Sequence, residues 1–127
     1  HSVRITIVLR MKKPIVSIES LEHLEELLHK SCSQPLLLFK HSNNCGVSAE
    51  ALEELHFHIE RTKSSATYAM IVVQTHRELS KTVSDSLGVR HETPQAILVC
   101  NKQAAWSVSH FRVNAKEIDQ ALDNVKK

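Results

Sequence analysis

The sequence predicts an α/β protein built on a four-stranded mixed sheet covered on both faces. The expected core order is β-α-β-α-β-β-α, with an additional helix ahead of the first strand. Three observations predict it. Helix-period and strand-period apolar patterns alternate along most of the chain. Two strand-like runs, Gln95–Cys100 and Ala104–Ser109, lie close enough to form a hairpin and are followed by one last helical pattern. Cys45 stands between an apolar run and an amphipathic stretch, where a strand hands over to a helix.

Taken in order, Val3, Ile5, Ile7 and Leu9 alternate with polar residues in the manner of a strand, and Met11-Lys12-Lys13 looks like a start. Residues 1–11 are therefore set aside as an N-terminal extension, introduced or an added strand, and residues 12–127 as the domain. Leu21, Leu24, Leu27 and Leu28 predict a helix from about Ser20 to Lys30, with Ser17-Ile18-Glu19-Ser20 as its capping start. Pro35 to Lys40 reads as a short buried strand. The next helix, Ala49 to Arg61, carries an inward stripe of Ala51, Leu52, Leu55 and Ile59, continuing Val47 before it, with Glu50, Glu53, Glu54 and Glu60 outward. Tyr68 to Val73 is a continuous Ile/Val-rich run and predicts a strand buried on both faces. A helix opening at His76-Arg77-Glu78 carries Leu79, Val83 and Leu87, and Gly88 closes it, because a left-handed residue after a helix suits glycine. The chain has two glycines, Gly46 and Gly88, and each is expected where the backbone needs one. Pro94 stands at the mouth of the strand Gln95–Cys100, Asn101-Lys102-Gln103 reads as a turn, and Trp106 and Phe111 are expected in the core of the hairpin. Asn114 caps the last helix, whose apolar side is Ile118, Ala121, Leu122 and Val125.

Composition narrows the function. A length of 127 residues suits one domain, and 42% apolar with 24% charged residues is ordinary for a globular protein. A formal charge of +2 argues against nucleic-acid or membrane binding. No apolar run approaches the ~18 residues of a membrane span, and no secretory signal is evident. Three cysteines without repeating spacing do not make a disulfide framework, so a reducing cytoplasm is expected, where a junction cysteine is more often catalytic than structural. Nine histidines raise the question of a metal, but they show no ligand spacing, and His56 and His58 would diverge around a helix, so no metal site is expected.

Cys45 carries the functional expectation. The first N–H groups of a helix lack internal partners, and with the helix dipole they favour an anion at that position. The thiolate is the attacking species in disulfide exchange. Its C-x-x partner position holds Ser48, which forms no sulfur–sulfur bond but has a hydroxyl to donate to the thiolate. Cys100 lies about 20 Å along its strand from Pro94, and Cys32 is separated from Cys45 by a comparable strand length. A disulfide needs Cα atoms within ~7 Å, so neither is expected to resolve a mixed disulfide at Cys45.

The element order, the cysteine after the strand and the proline opening the strand before the hairpin are those of the thioredoxin fold, in which that proline is in cis beside the nucleophile. More narrowly, Lys40-His41-Ser42 before the cysteine, the C-x-x-S of Cys45 to Ser48, Leu87 to Gln95 and Ser109-His110 resemble the YtxJ-type bacillithiol-system proteins. These are monothiol bacilliredoxins of bacteria that use bacillithiol instead of glutathione. The resemblance spans residues 12–127. It implies a thiol-disulfide oxidoreductase acting on bacillithiolated cytosolic proteins, with bacillithiol as co-substrate and no tightly bound cofactor. It further implies that Cys45 and Ser48 are the catalytic pair, and that Gly46, Val47, Thr93 and Pro94 line the thiol or substrate site. Lys40 and His41 would supply positive potential for bacillithiol's malate carboxylates. One departure is Gly46, where the family commonly has proline; it is expected to alter local rigidity and reduction potential, leaving the reaction class unchanged. Oligomeric state does not follow from any of this.

Two other classes fit the same residues. Monothiol glutaredoxins bridge an iron–sulfur cluster, which colour on anaerobic purification would reveal. A non-catalytic thioredoxin-like adaptor would keep its partners after Cys45→Ala.

Overall fold

A computed structural model describes residues 13–126; the expectations for residues 1–11 lie outside them. The sheet has five strands, β1 (Ile15–Ser17), β2 (Leu36–His41), β3 (Thr67–Val72), β4 (Gln95–Cys100) and β5 (Gln103–Ser109), in the spatial order β1-β3-β2-β4-β5. The expectation of four strands therefore falls one short. Ile15-Val16-Ser17 runs parallel to β3 at the sheet edge, pairing with Tyr68, Ala69 and Met70. Three residues are too few for a period-2 signal, and the pairing partner lies about fifty positions away. The remaining pairings are parallel for β2 with β3 and antiparallel for β2 with β4 and β4 with β5.

Strand β2 is central, and all of its residues are buried. Its alternation splits the core in two. Leu37 and Phe39 pack on one face with Ala51, Leu55 and Ile118, under α2 (Gly46–Arg61) and α4 (Ala115–Val125). Leu36 and Leu38 pack on the other with Leu24, Leu27, Leu79 and Val83, under α1 (Leu21–Lys30) and α3 (Arg77–Leu87). Continuous burial rather than alternation is what a strand covered on both sides requires.

Local chemistry fixes the helix ends. Ser20 caps α1 by accepting from the His23 N–H, and Asn114 caps α4 by accepting from the Glu117 N–H. Gly88 ends α3 at φ 65°, donating its N–H to the Ser84 carbonyl. The β4–β5 turn places Asn101 and Lys102 at φ 54° and 65°, the sense of twist that two-residue hairpins need. Ser31 holds that turn, its carbonyl accepting from Asn101 N–H at 3.0 Å and its Oγ from Lys102 N–H at 2.9 Å. Trp106 packs partly against the α2/α4 core. Phe111, expected beside it, is 74% exposed: a 3-10 turn at His110–Arg112 begins with His110 at φ 57°, and the chain leaves the hairpin before Phe111 can face inward.

Candidate active site

Two chain ends meet at the C-terminal edge of β2. The register pairs Lys40 with Gln95, so the loop leading to Cys45 lies beside the segment that enters β4 through Pro94. The Thr93–Pro94 peptide bond is cis, Pro94 is buried and Thr93 partly exposed. Cys32 and Cys100 lie at the other end of the same strands, where Leu36 pairs with Val99.

Cys45 is the N-cap residue of α2, in extended conformation at φ −126° and ψ 123°, and its side chain is partly exposed. Its carbonyl accepts from Ala49 N–H at 3.0 Å, closing the first helical turn. Among the described residues no side-chain oxygen caps this helix, so the first-turn N–H groups are left for the sulfur or for an anion brought to it. The preceding loop is tied to the end of β3: Gln74 Nε2 donates to Ser42 Oγ at 2.7 Å, and Asn43 N–H donates to Gln74 Oε1 at 3.2 Å.

Gly46 is the first helical residue and does not need to be glycine. Its φ is not in the left-handed region, and a Cβ there would meet nothing within 4 Å. Gly88 meets the expectation stated for both glycines; Gly46 does not. The Cys45 dihedrals are those tolerated before a proline, and the first helical position suits proline. Gly46→Pro is expected to raise stability by about 0.4–1 kcal/mol through the unfolded chain, read as a higher urea midpoint at unchanged slope.

Ser48 is fully buried and turned away from a role as donor to Cys45. Its Oγ accepts from the Ser42 N–H at 3.0 Å and lies 2.8 Å from His41 Nδ1. Burial lowers the His41 pKa, against the opposing hydrogen bond from Asn43. The ring is therefore neutral at pH 7, and among the described residues no hydrogen bond reaches the Cys45 sulfur. Ser48 thus holds the loop that carries Cys45. Ser48→Ala leaves a partly buried N–H and a buried ring nitrogen short of partners, with an expected cost of about 1–3 kcal/mol in urea denaturation.

Lys40 and His41, expected to supply positive potential for malate carboxylates, are buried rather than at a solvated strand end, and of the two His41 is neutral and brings no charge. Both lie in the last turns of a central strand and are buried, Lys40 completely. Strand alternation sends His41 toward α2 and Lys40 toward α3. Lys40 Nζ donates to the Ser80 carbonyl at 3.0 Å and to Ser84 Oγ at 2.7 Å, and lies 3.0 Å from His91 Nδ1. Burial, opposed by the Asp85 charge, brings its pKa down to about 8. The His91 pKa is lowered as well, by burial first and by Lys40 second, so Nδ1 is free to accept from the ammonium. Gln95 Nε2 donates to the Arg90 carbonyl at 2.8 Å, fixing the same segment from below.

The structure also gathers residues that the sequence reading passed over. At the far end of α2, His58 Nδ1 lies 2.5 Å from Asp119 Oδ1 and Nε2 lies 2.8 Å from the Tyr68 hydroxyl. This chain, buried at His58 and Tyr68 and open to solvent at Asp119, ties α2, α4 and β3 together, away from Cys45. A histidine between Leu55 and Ile59 on the inward stripe, with a tyrosine inside an apolar strand, is the signal that pointed to it. No group of three or more His, Cys, Asp or Glu side chains suited to a metal occurs among the described residues.

The family model described as monothiol bacilliredoxin BrxC matches residues 16–118, well over half of the chain. Among solved structures, a protein assigned as an oxidoreductase with a thioredoxin fold is similar at 24% identity and a TM-score of 0.76, covering 84% of this chain and 92% of its own. The thioredoxin of Trypanosoma brucei brucei aligns at 12% identity and a TM-score of 0.74, over 90% and 93% of the two chains. A mutant thioredoxin from Halobacterium salinarum NRC-1 aligns at 15% and 0.71, over 88% and 90%. At such identities the likeness shows the fold, which is thioredoxin-like.

Proposed function

The chain belongs to the monothiol bacilliredoxin family, whose chemistry is thiol redox exchange, and from that premise we propose that it removes bacillithiol from mixed disulfides on cytoplasmic proteins, as a YtxJ-type member. The observation that carries this reading is the isolation of Cys45. It is a partly exposed cysteine at a helix start, its C-x-x partner is a serine engaged elsewhere, and the other cysteines lie at the opposite end of the sheet.

The exchange proceeds in two steps. The Cys45 thiolate attacks the bacillithiol sulfur of the modified protein; a new disulfide forms, the old one breaks, and the protein thiolate leaves and takes a proton from water. The thiolate of a second bacillithiol then attacks the bacillithiol sulfur on Cys45, giving bacillithiol disulfide and restoring the Cys45 thiolate. First-turn N–H groups stabilise the sulfur anion in both steps. The exposed edge beside Thr93 and Val47 receives the modified segment. Bacillithiol enters as co-substrate, and no resident cofactor is needed.

The test is to incubate the protein with a bacillithiol mixed disulfide and locate the adduct by mass spectrometry. An adduct on Cys45 alone, absent from Cys45→Ser, supports the reading. An adduct confined to Cys32 or Cys100, or none, overturns it.

A further inference from the structure

Between α3 and the segment Gly88–Thr93 lies a cavity of about 820 Å³, within the ~300–1,000 Å³ of small-molecule sites. Ser42 and Thr93 line it, so it opens alongside the loop that carries Cys45 and the entry to β4. Its charged lining consists of Arg77, Lys81, Arg90 and one carboxylate, Asp85. Lys81 Nζ already holds Asp85 at 2.9 Å, and these two cancel. Arg77 forms no ion pair among the described residues. Arg90 stands 3.9 Å from Glu92, beyond hydrogen-bond range. Arg77 and the loosely paired Arg90 thus line the cavity as its guanidiniums.

A second, independent feature lies beneath them. The buried Lys40 ammonium is held by neutral groups only, the Ser80 carbonyl, Ser84 Oγ and His91 Nδ1, and Ser80, Ser84 and His91 all line the cavity. Among the described residues its charge has no carboxylate in contact, and it is directed through a thin layer of hydroxyl and imidazole toward the same space. A positive floor, one guanidinium without an ion pair among the described residues, a second held only loosely by Glu92 and a wall of hydroxyl and amide groups describe a receptor for a polyhydroxylated anion.

We propose that this cavity binds the glucosaminyl-malate body of bacillithiol, with the malate carboxylates on Arg77 and Arg90, the sugar hydroxyls against Gln74 and Ser84, and the sulfur directed past Ser42 to Cys45. The inference rests on the bacillithiol reading for its ligand and adds to it the residues that choose that ligand. The direct contacts come from arginines of α3 and of the segment before Pro94, while the buried Lys40 acts only through its charge and His41 takes no part.

Binding and chemistry are separated by using glucosaminyl malate, the sulfur-free part of the thiol, on Cys45→Ser protein followed by NMR. Shift changes are expected at Arg77, Arg90 and 88–93, and the dissociation constant is expected to rise about tenfold for Arg77→Ala and again for Arg90→Ala, each ~1.4 kcal/mol. In the active protein, the ratio of the rate constants for regenerating Cys45 by bacillithiol and by uncharged 2-mercaptoethanol is expected to fall by the same factors. Both arginines are exposed, so these variants keep the core intact. Shifts elsewhere, no shifts, or a rate ratio unmoved in the double variant would overturn the assignment. If glucosaminyl malate binds as described while Cys45 takes up no bacillithiol, the cavity stands and the redox reading falls; if Cys45 exchanges and the double variant is unaffected, the reverse holds.

Discussion

Cys45→Ser lowers the rate of protein-thiol release from a bacillithiol mixed disulfide by at least ~10³-fold, as loss of a nucleophile does elsewhere, whereas Cys32→Ser combined with Cys100→Ser leaves it within about twofold of the parent. The contrast follows from placement. Cys45 stands at the start of α2 with its first-turn N–H groups unclaimed by any side-chain oxygen. A serine hydroxyl at the same position is far too weak an acid to provide the anion that those groups favour. Cys100 is partly buried, and burial raises its pKa, which keeps the thiol protonated and a poor nucleophile. Cys32 is exposed but lies at the end of the sheet where Leu36 pairs with Val99, the length of a strand from Cys45. Stopped-flow release of a chromophoric protein thiol measures both variants. Equal loss in the double variant would mean that a second cysteine takes part in turnover.

Much of the fold was legible because period and burial agree. The Leu24-Leu27 stripe, the Ile/Val run of β3, Gly88 after α3 and Asn114 before α4 each combine a pattern with a residue that only one conformation suits. Cys45 was legible for the same reason, since the strand-to-helix change falls on it. The surroundings of Cys45 were harder to read because they depend on which strand is central. Lys40 and His41 look like a solvated strand end until β3 and β4 flank β2 and helices cover both its faces. What receives Lys40 is then visible in α3, where Ser80 and Ser84 stand four residues apart beside the apolar positions Leu79 and Val83, a polar notch in the buried face. Arg77 and Arg90 are ordinary exposed cations in sequence. They come to line one cavity when Gly88 turns the chain back along α3, a consequence of tertiary path that no local window contains.

Lys40→Met is expected to abolish a rise in stability that the parent protein shows between pH 8 and 9, while leaving stability at pH 7 within about 1 kcal/mol of the parent. The sign follows from linkage. The Lys40 pKa falls from an ordinary 10.5 in the unfolded chain to about 8 in the fold, so between those values the unfolded chain binds a proton that the folded one does not. Stability therefore rises with pH in that window, by up to ~1.4 kcal/mol per unit, and is flat in this group below it. Two groups oppose the rise at higher pH. Burial raises the Cys100 pKa above 9.0, and stability from that neutral thiol is lost as pH climbs past 9. Burial also pushes Tyr68 up to about 12, against the Thr62 hydrogen bond and with the Asp119 charge, so its contribution is lost from pH 10 upward. Cys100 begins to act within pH 8 to 9 and Tyr68 does not, so the difference between the two proteins over that interval isolates Lys40, and urea denaturation at pH 7, 8 and 9 on both measures it. A parent curve without the rise, or the same rise in Lys40→Met, would remove the buried ammonium from the account. A lysine that gains the fold so little at neutral pH acts through what it holds, namely His91, the segment before Pro94 and the positive floor of the cavity beside Cys45.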